Sequence, residues 1–218
     1  MKAKKKNDNM PLEAIMRTDE HHIAKHNKIL GMKYKDDIQL VFLGDSLTRR
    51  WEDNIGIWNT YFAAYHPVNF GVGGDSLENI KWRILNDELE GINPKVIVVL
   101  AGTNNLDKDP EEVIVSGIEE IVGMIRAKLK DTKIVVLGLL PRNHTKAGKN
   151  YGKKIARINR QLTARFAATK ITFKDIGAIL INKKGRVSNA IMPDGLHLND
   201  KGYELIGPEL RKVIEGIW

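Results

Sequence analysis

A serine stands just past the apolar run Val41-Phe42-Leu43, inside Gly44-Asp45-Ser46-Leu47. Near the other end of the chain, Asp194-Gly195-Leu196-His197 sets a carboxylate three residues before an imidazole. These residue types are what acyl transfer needs: a hydroxyl to attack, a base to take its proton, and a carboxylate to hold the base in one tautomer. Each also has a plainer explanation, since serine is a common turn residue and Asp-x-x-His also describes a helix cap beside a surface histidine. Of the six histidines, His21, His22 and His26 sit in a polar N-terminal stretch, His66 precedes Pro67, and His144 lies in a basic stretch. His197 is the one whose acid is spaced so that one loop can deliver both side chains.

An attacking serine also needs donors for the oxyanion that forms. Asn69-Phe70-Gly71-Val72-Gly73-Gly74-Asp75-Ser76 supplies glycines, which permit close approach of backbone N–H groups to a ligand. Gly102-Thr103-Asn104-Asn105 supplies side-chain amides, uncharged donors that can face developing negative charge. Taken singly, these are ordinary turns. Three successive strand ends that offer a nucleophile, a backbone donor and an amide donor form a pattern. The second Gly-Asp-Ser, at Gly74-Asp75-Ser76, follows a glycine turn, and Ser76 stands where a helix cap is expected. The Gly71-x-Gly73 pair falls short of a dinucleotide fingerprint, because Ser76 occupies the third glycine position. Neither a zinc-site spacing nor a Walker-type phosphate loop is present.

The elements that must position these residues alternate along the chain. Leu40–Leu43, Val68–Phe70, Val96–Ala101, Ile134–Leu140 and Ile171–Phe173 are Val- and Ile-rich runs with little alternation, as in parallel strands covered on both faces. Between them, Ser76–Leu89, Glu111–Lys130, Lys153–Ala168 and Asp200–Ile217 read as helices. Asp109 is expected to cap the second of these, with Pro110 at its first position. Residues 1–36 read as a peripheral, helical N-terminal segment of a single domain spanning 1–218. The alternation predicts an α/β fold with a five-stranded parallel sheet in a three-layer α/β/α sandwich.

The composition is that of a globular protein, 42% apolar and 28% charged. There is no cysteine, which removes disulfides, thiolate metal sites and a thiol nucleophile. The lysine-rich start lacks the apolar run of a signal peptide, and no stretch approaches a membrane span. The expectation is therefore a cytoplasmic protein with no membrane partner, or a secreted one whose leader has been removed. The net charge is +8, and Arg142–Lys174 holds ten Lys or Arg and no acid. That segment is read as a solvated helix face rather than a device that steers anionic substrates, and nucleic acid is not expected as a partner.

Together, Gly44-Asp45-Ser46-Leu47, Gly73-Gly74-Asp75, Gly102-Thr103-Asn104-Asn105 and Asp194-x-x-His197 resemble the four sequence blocks of the SGNH (GDSL-type) hydrolases, in order. The closer likeness is to the catalytic subunits of platelet-activating-factor acetylhydrolase Ib and their bacterial esterase relatives. It is supported by Trp82-Arg83, Pro94–Val99 and Leu137–Arg142 and runs from about residue 38 to the C-terminus. The resemblance implies the flavodoxin-like fold of that family, no metal and no organic cofactor. It implies Ser46 as nucleophile, His197 as base and Asp194 as its orienting acid. The Ser46 and Gly74 N–H groups and the Asn104 amide would form the oxyanion hole. Asp45, Trp51, Asn105 and Arg142 are the candidate substrate-binding residues. Trp51 and Trp58 would stack on a sugar if they line the site, although core packing is the commoner role of tryptophan. No long apolar stretch adjoins the blocks. The expected substrate is a short-chain ester, acetyl above all, of a carbohydrate or similar polar alcohol. The alternative is a lysophospholipase or thioesterase for longer chains. A homodimer is compatible with the sequence.

Overall fold

The computed structural model describes residues 11–33, 37–143, 150–183 and 185–218. In chain order the elements are α1 (Glu20–Met32), β1 (Leu40–Gly44), α2 (Ser46–Arg49), α3 (Ile55–Phe62), β2 (Pro67–Gly71), α4 (Leu77–Leu85), β3 (Val96–Leu100), α5 (Glu111–Lys128), β4 (Lys133–Leu137), α6 (Gly152–Phe166), β5 (Thr172–Lys174) and α7 (Asp200–Glu215). The strands form one parallel sheet in the order β2-β1-β3-β4-β5, with Gly44 opposite Gly71 on one side and Leu100 on the other.

Alternate residues of each strand feed opposite cores. Val41, Leu43, Ile97 and Val99 face α4, α5 and α6 through Leu77, Ile80, Ile118, Ile121 and Ile158. Leu40, Phe42, Val96 and Val98 face α3 and α7 through Trp58, Phe62, Ile206 and Leu210. Both faces being covered, the strands read as unbroken apolar runs. The neighbours of β1 leave it in opposite directions along the chain, so the crevice beyond its C-terminal end is where such folds bind ligands.

Several boundaries differ from expectation for local reasons. Asp109 does not cap α5: its carboxylate accepts the Asn105 amide at 2.8 Å, and Pro110 occupies the capping position. Helix α4 ends at Leu85, after which Asp87 adopts a φ of 70° and Glu88 turns back under the sheet edge. Residues 46–62, given no element from the sequence, form α2, a 3-10 stretch over Arg50–Asn54, and α3.

The described part of the N-terminal segment, residues 11–33, is not peripheral. Leu12 and Ile29 lie in the main core, and His22, Lys25 and His26 are buried on the same face of α1. In the described part of the basic segment, Arg157, Arg160 and Arg165 are exposed. On α6, Arg157 pairs with Glu111 at 2.9 Å and Arg165 with Glu119 at 2.9 Å, while Lys154 donates to the Leu106 carbonyl at 2.7 Å. His144, also named in that stretch, lies outside the described residues.

Candidate active site

Ser46 is the first residue of α2, just past the C-terminal end of β1. The turn into it has no room for a side chain at Gly44, where a Cβ would lie 2.2 Å from the Leu100 carbonyl oxygen and 2.3 Å from Thr48 Oγ1. Three groups hold α2 in place. Asp45 Oδ1 accepts the Leu47 N–H at 2.9 Å, Tyr203 donates its hydroxyl to the Leu47 carbonyl at 2.7 Å, and the Asn69 amide donates to Thr48 O at 2.9 Å.

Asp45 is fully buried, and its Oδ2 has no hydrogen-bond partner. Burial pushes its carboxyl up to about 7, a rise that the Leu47 N–H offsets in part and the neighbouring Asp75 reinforces. An unfolded aspartate titrates near about 3.9, so the unfolded chain releases this proton first, and stability falls as pH rises from about 4 to about 7. Asp45→Asn keeps the acceptor for Leu47 but has no proton to lose. Relative to wild type, the variant is expected to gain about 2–3 kcal/mol of unfolding free energy between about pH 5 and pH 8. Denaturant titrations of both proteins at the two pH values check this; an unchanged difference would mean that Asp45 does not titrate there.

His197 joins Ser46 to Asp194. Its Nε2 is 2.9 Å from Ser46 Oγ and its Nδ1 is 2.6 Å from Asp194 Oδ2. The other carboxylate oxygen accepts the N–H groups of His197 at 2.7 Å and Leu196 at 2.9 Å. Burial by itself would raise the Asp194 carboxyl; the His197 N–H, the His197 ring and the Leu196 N–H outweigh it and bring it down to about 2. The acid is thus ionised at neutral pH, and it orients the ring with Nε2 towards the hydroxyl.

Gly74 and Asn104 border the same cleft as Ser46 and His197. Gly74 has a φ of 82°, a conformation that favours glycine, and a Cβ there would lie 3.1 Å from Arg17 Nη1, which would have to shift. The Asn104 amide donates one N–H to the Asp75 carbonyl at 2.8 Å, which fixes its plane and leaves its second N–H for a ligand. Arg17 clamps this turn from the N-terminal segment, donating to Gly73 O at 2.6 Å and Asp75 Oδ1 at 2.9 Å.

Beneath the turn lies a buried charge network. Arg83, fully buried, donates to Asp75 at 2.7 Å, to Phe70 O and Gly44 O at 3.1 Å each, and to Glu88. His22 meets Asp75 at 3.1 Å, and His26 meets Glu88 at 2.8 Å. One guanidinium therefore ties the ends of β1 and β2, which carry the serine and the glycine turn. Sequence reasoning missed Arg17, His21 and His22 because polar residues at helical spacing resemble a solvated face. The available signal was two acids, Asp75 and Glu88, flanking Arg83 in sequence.

None of the four candidate substrate-binding residues lines the cleft beside Ser46. Asp45 and Asn105 are both fully buried. Asn105 accepts the Leu77 N–H at 3.0 Å and donates to Glu78 and Asp109. Trp51 is 2% exposed, packed on Tyr203 at 4.5 Å and Phe62 at 5.3 Å, and Trp58 is buried with it. Neither indole lines the cleft, because the 3-10 stretch turns Trp51, and α3 turns Trp58, into the core that α7 covers. Arg142 braces the loop that carries Asn104, donating to Thr103 O at 3.3 Å and stacking over Tyr151, and it does not line the cleft beside Ser46. That open cleft, of about 540 Å³, is lined instead by His21, Arg49 and Arg50 together with Ser46, Gly73, Gly74, Asn104, Leu196 and His197.

Sheet order, strand-end hydroxyl and polar cleft describe an α/β enzyme of ester hydrolysis. Residues 42–205 match the GDSL-like Lipase/Acylhydrolase family, and the chain belongs to that family. It is 37% identical over 198 residues to platelet-activating factor acetylhydrolase IB subunit alpha2 of Rattus norvegicus, covering 90% of this chain and 84% of that one. To subunit alpha1 of Bos taurus it is 34% identical over 197 residues, with 90% and 83% covered. Among solved structures, a GDSL-like lipase from Bacteroides thetaiotaomicron superposes with a TM-score of 0.74 at 19% identity, over 89% of this chain and 99% of that one.

Proposed function

We propose that the protein hydrolyses short-chain esters, acetyl above all, of a carbohydrate or similarly polar alcohol through an acyl-enzyme. The lining of the cleft carries this reading: among the described residues Leu196 is its one large apolar one, so a long acyl chain would find no apolar wall there to cover it. The acetylhydrolase relatives agree with a short acyl group.

In this reading His197 takes the Ser46 proton as Oγ attacks the carbonyl carbon, and Asp194 stabilises the imidazolium formed. The Ser46 and Gly74 N–H groups and the second Asn104 N–H receive the oxyanion. Collapse expels the alcohol, which takes its proton from His197. A water activated by the same imidazole then attacks the acyl-enzyme and releases the acid and free Ser46. The His197 imidazole carries every proton transfer, and the Asp194 carboxylate orients it and stabilises its charged form.

A panel of chromogenic esters of increasing acyl length tests the substrate class. Acetyl and propionyl esters are expected to give a higher kcat/KM than octanoyl, and acetylated glycans to release acetate. A preference for octanoyl would move the reading to a lysophospholipase or thioesterase.

A further inference from the structure

We propose that the cleft takes an alcohol bearing an anionic group, a carboxylate or a phosphate, and that Arg50 is the residue that binds it. The inference rests on the short-acyl reading above, because an acetyl group has no place for a charge and the anion must belong to the alcohol.

Five arginines are not exposed: Arg17, Arg49, Arg50, Arg83 and Arg142. Four have acceptors within the fold. Arg17 and Arg83 bond Asp75, Arg49 pairs with Asp53 through both of its terminal nitrogens, and Arg142 donates to Thr103 O. The Arg50 guanidinium has no partner among the described residues, although it is half-buried. Its nitrogens stay accessible to the cleft, so an arriving anion supplies the acceptor that the fold does not.

Its position is set by the backbone. Arg50 closes α2, its N–H bonded to the Ser46 carbonyl and its own carbonyl accepting the Asn54 amide at 2.9 Å. Four residues after Ser46, it lies on the same helix face, with Cβ atoms on the order of 5–6 Å apart. Both side chains line the one cleft. Among the described residues no carboxylate lines the cleft to neutralise it, since Asp194 spends both oxygens on the His197 loop and Asp53 is committed to Arg49. The planar fork of arginine suits carboxylate and phosphate oxygens, which it can bind through two parallel N–H bonds.

The test uses three aryl acetates of the same ring: 4-acetoxybenzoate, 4-acetoxyphenyl phosphate and the neutral methyl 4-acetoxybenzoate. Arg50→Gln is expected to lower the anionic-to-neutral ratio of kcat/KM at least about tenfold relative to wild type, as the loss of a charge-assisted bond would. Arg50→Lys, which keeps the charge without the fork, should retain part of the ratio. Arg157→Gln, which removes the same charge from the exposed face of α6, should leave it unchanged. The anion whose ratio falls further identifies the group, carboxylate or phosphate. An unaltered ratio in Arg50→Gln, an equal loss on neutral and anionic esters, or an equal fall in Arg157→Gln would overturn the proposal. Failure of wild type to hydrolyse any of the three acetates would instead overturn the ester reading on which it stands.

Discussion

Ser46→Ala is expected to lower kcat for ester hydrolysis by on the order of 10⁶, leaving what the oxyanion donors and substrate binding achieve alone. The size of the effect follows from the chain of contacts in which His197 Nε2 lies 2.9 Å from Oγ and has no other hydroxyl to activate. Ser76→Ala is the control, since the second Gly-Asp-Ser has the same three residues in a different setting. Ser76 caps α4, its backbone N–H and hydroxyl both donating to the side-chain Oδ1 of Asn79 at 2.9 and 2.8 Å. Its replacement should cost about 1 kcal/mol of stability and keep most of the activity. Steady-state rates of both variants on an acetyl ester, with unfolding curves beside them, are the measurement. An active Ser46→Ala protein would overturn the assignment of the nucleophile.

The next largest effect is expected at Asn104. Asn104→Ala should reduce kcat by about 10²–10³ with KM little changed, because the amide bonds chiefly to charge that appears in the transition state. The geometry adds a condition. One N–H of the amide is held by the Asp75 carbonyl at 2.8 Å, so the variant also loosens the glycine turn that carries Gly74. Arg17 holds that turn independently through Gly73 O and Asp75, which should keep the backbone donor in place when the amide is gone. A rise in KM alone would make Asn104 a substrate-binding residue and put the oxyanion hole elsewhere.

Much of this architecture was legible in the chain. Val96–Leu100 is apolar at every position because its two faces serve different cores, and that pattern identifies a parallel strand covered on both sides before any contact is known. The serine, the glycine turn and the amide loop each follow such a strand, so reading the strands located the site as well. Asp194 and His197 were legible for a related reason, since three residues of spacing lets one loop place both.

Other features depended on distant partners. Trp51 follows the nucleophile block in sequence, yet the 3-10 stretch turns its indole into Tyr203 and Phe62, 152 and 11 residues away by their numbering. Asn105 stands beside Asn104 but points inward to Leu77, Glu78 and Asp109. Adjacent residues in a turn diverge, and only packing decides which one faces the ligand. The N-terminal segment shows the same limit at greater range. His22, Lys25 and His26 repeat at helical spacing as a solvated face would, but Asp75, Glu52 and Glu88 await them across the fold. Local sequence determined the strands, the turns and the reacting groups, because these rest on periodicity, glycine conformation and short spacing. Tertiary structure decided which charges are buried, which aromatics are core and which arginine is left without an acceptor, because each of those depends on what another segment brings to the same place.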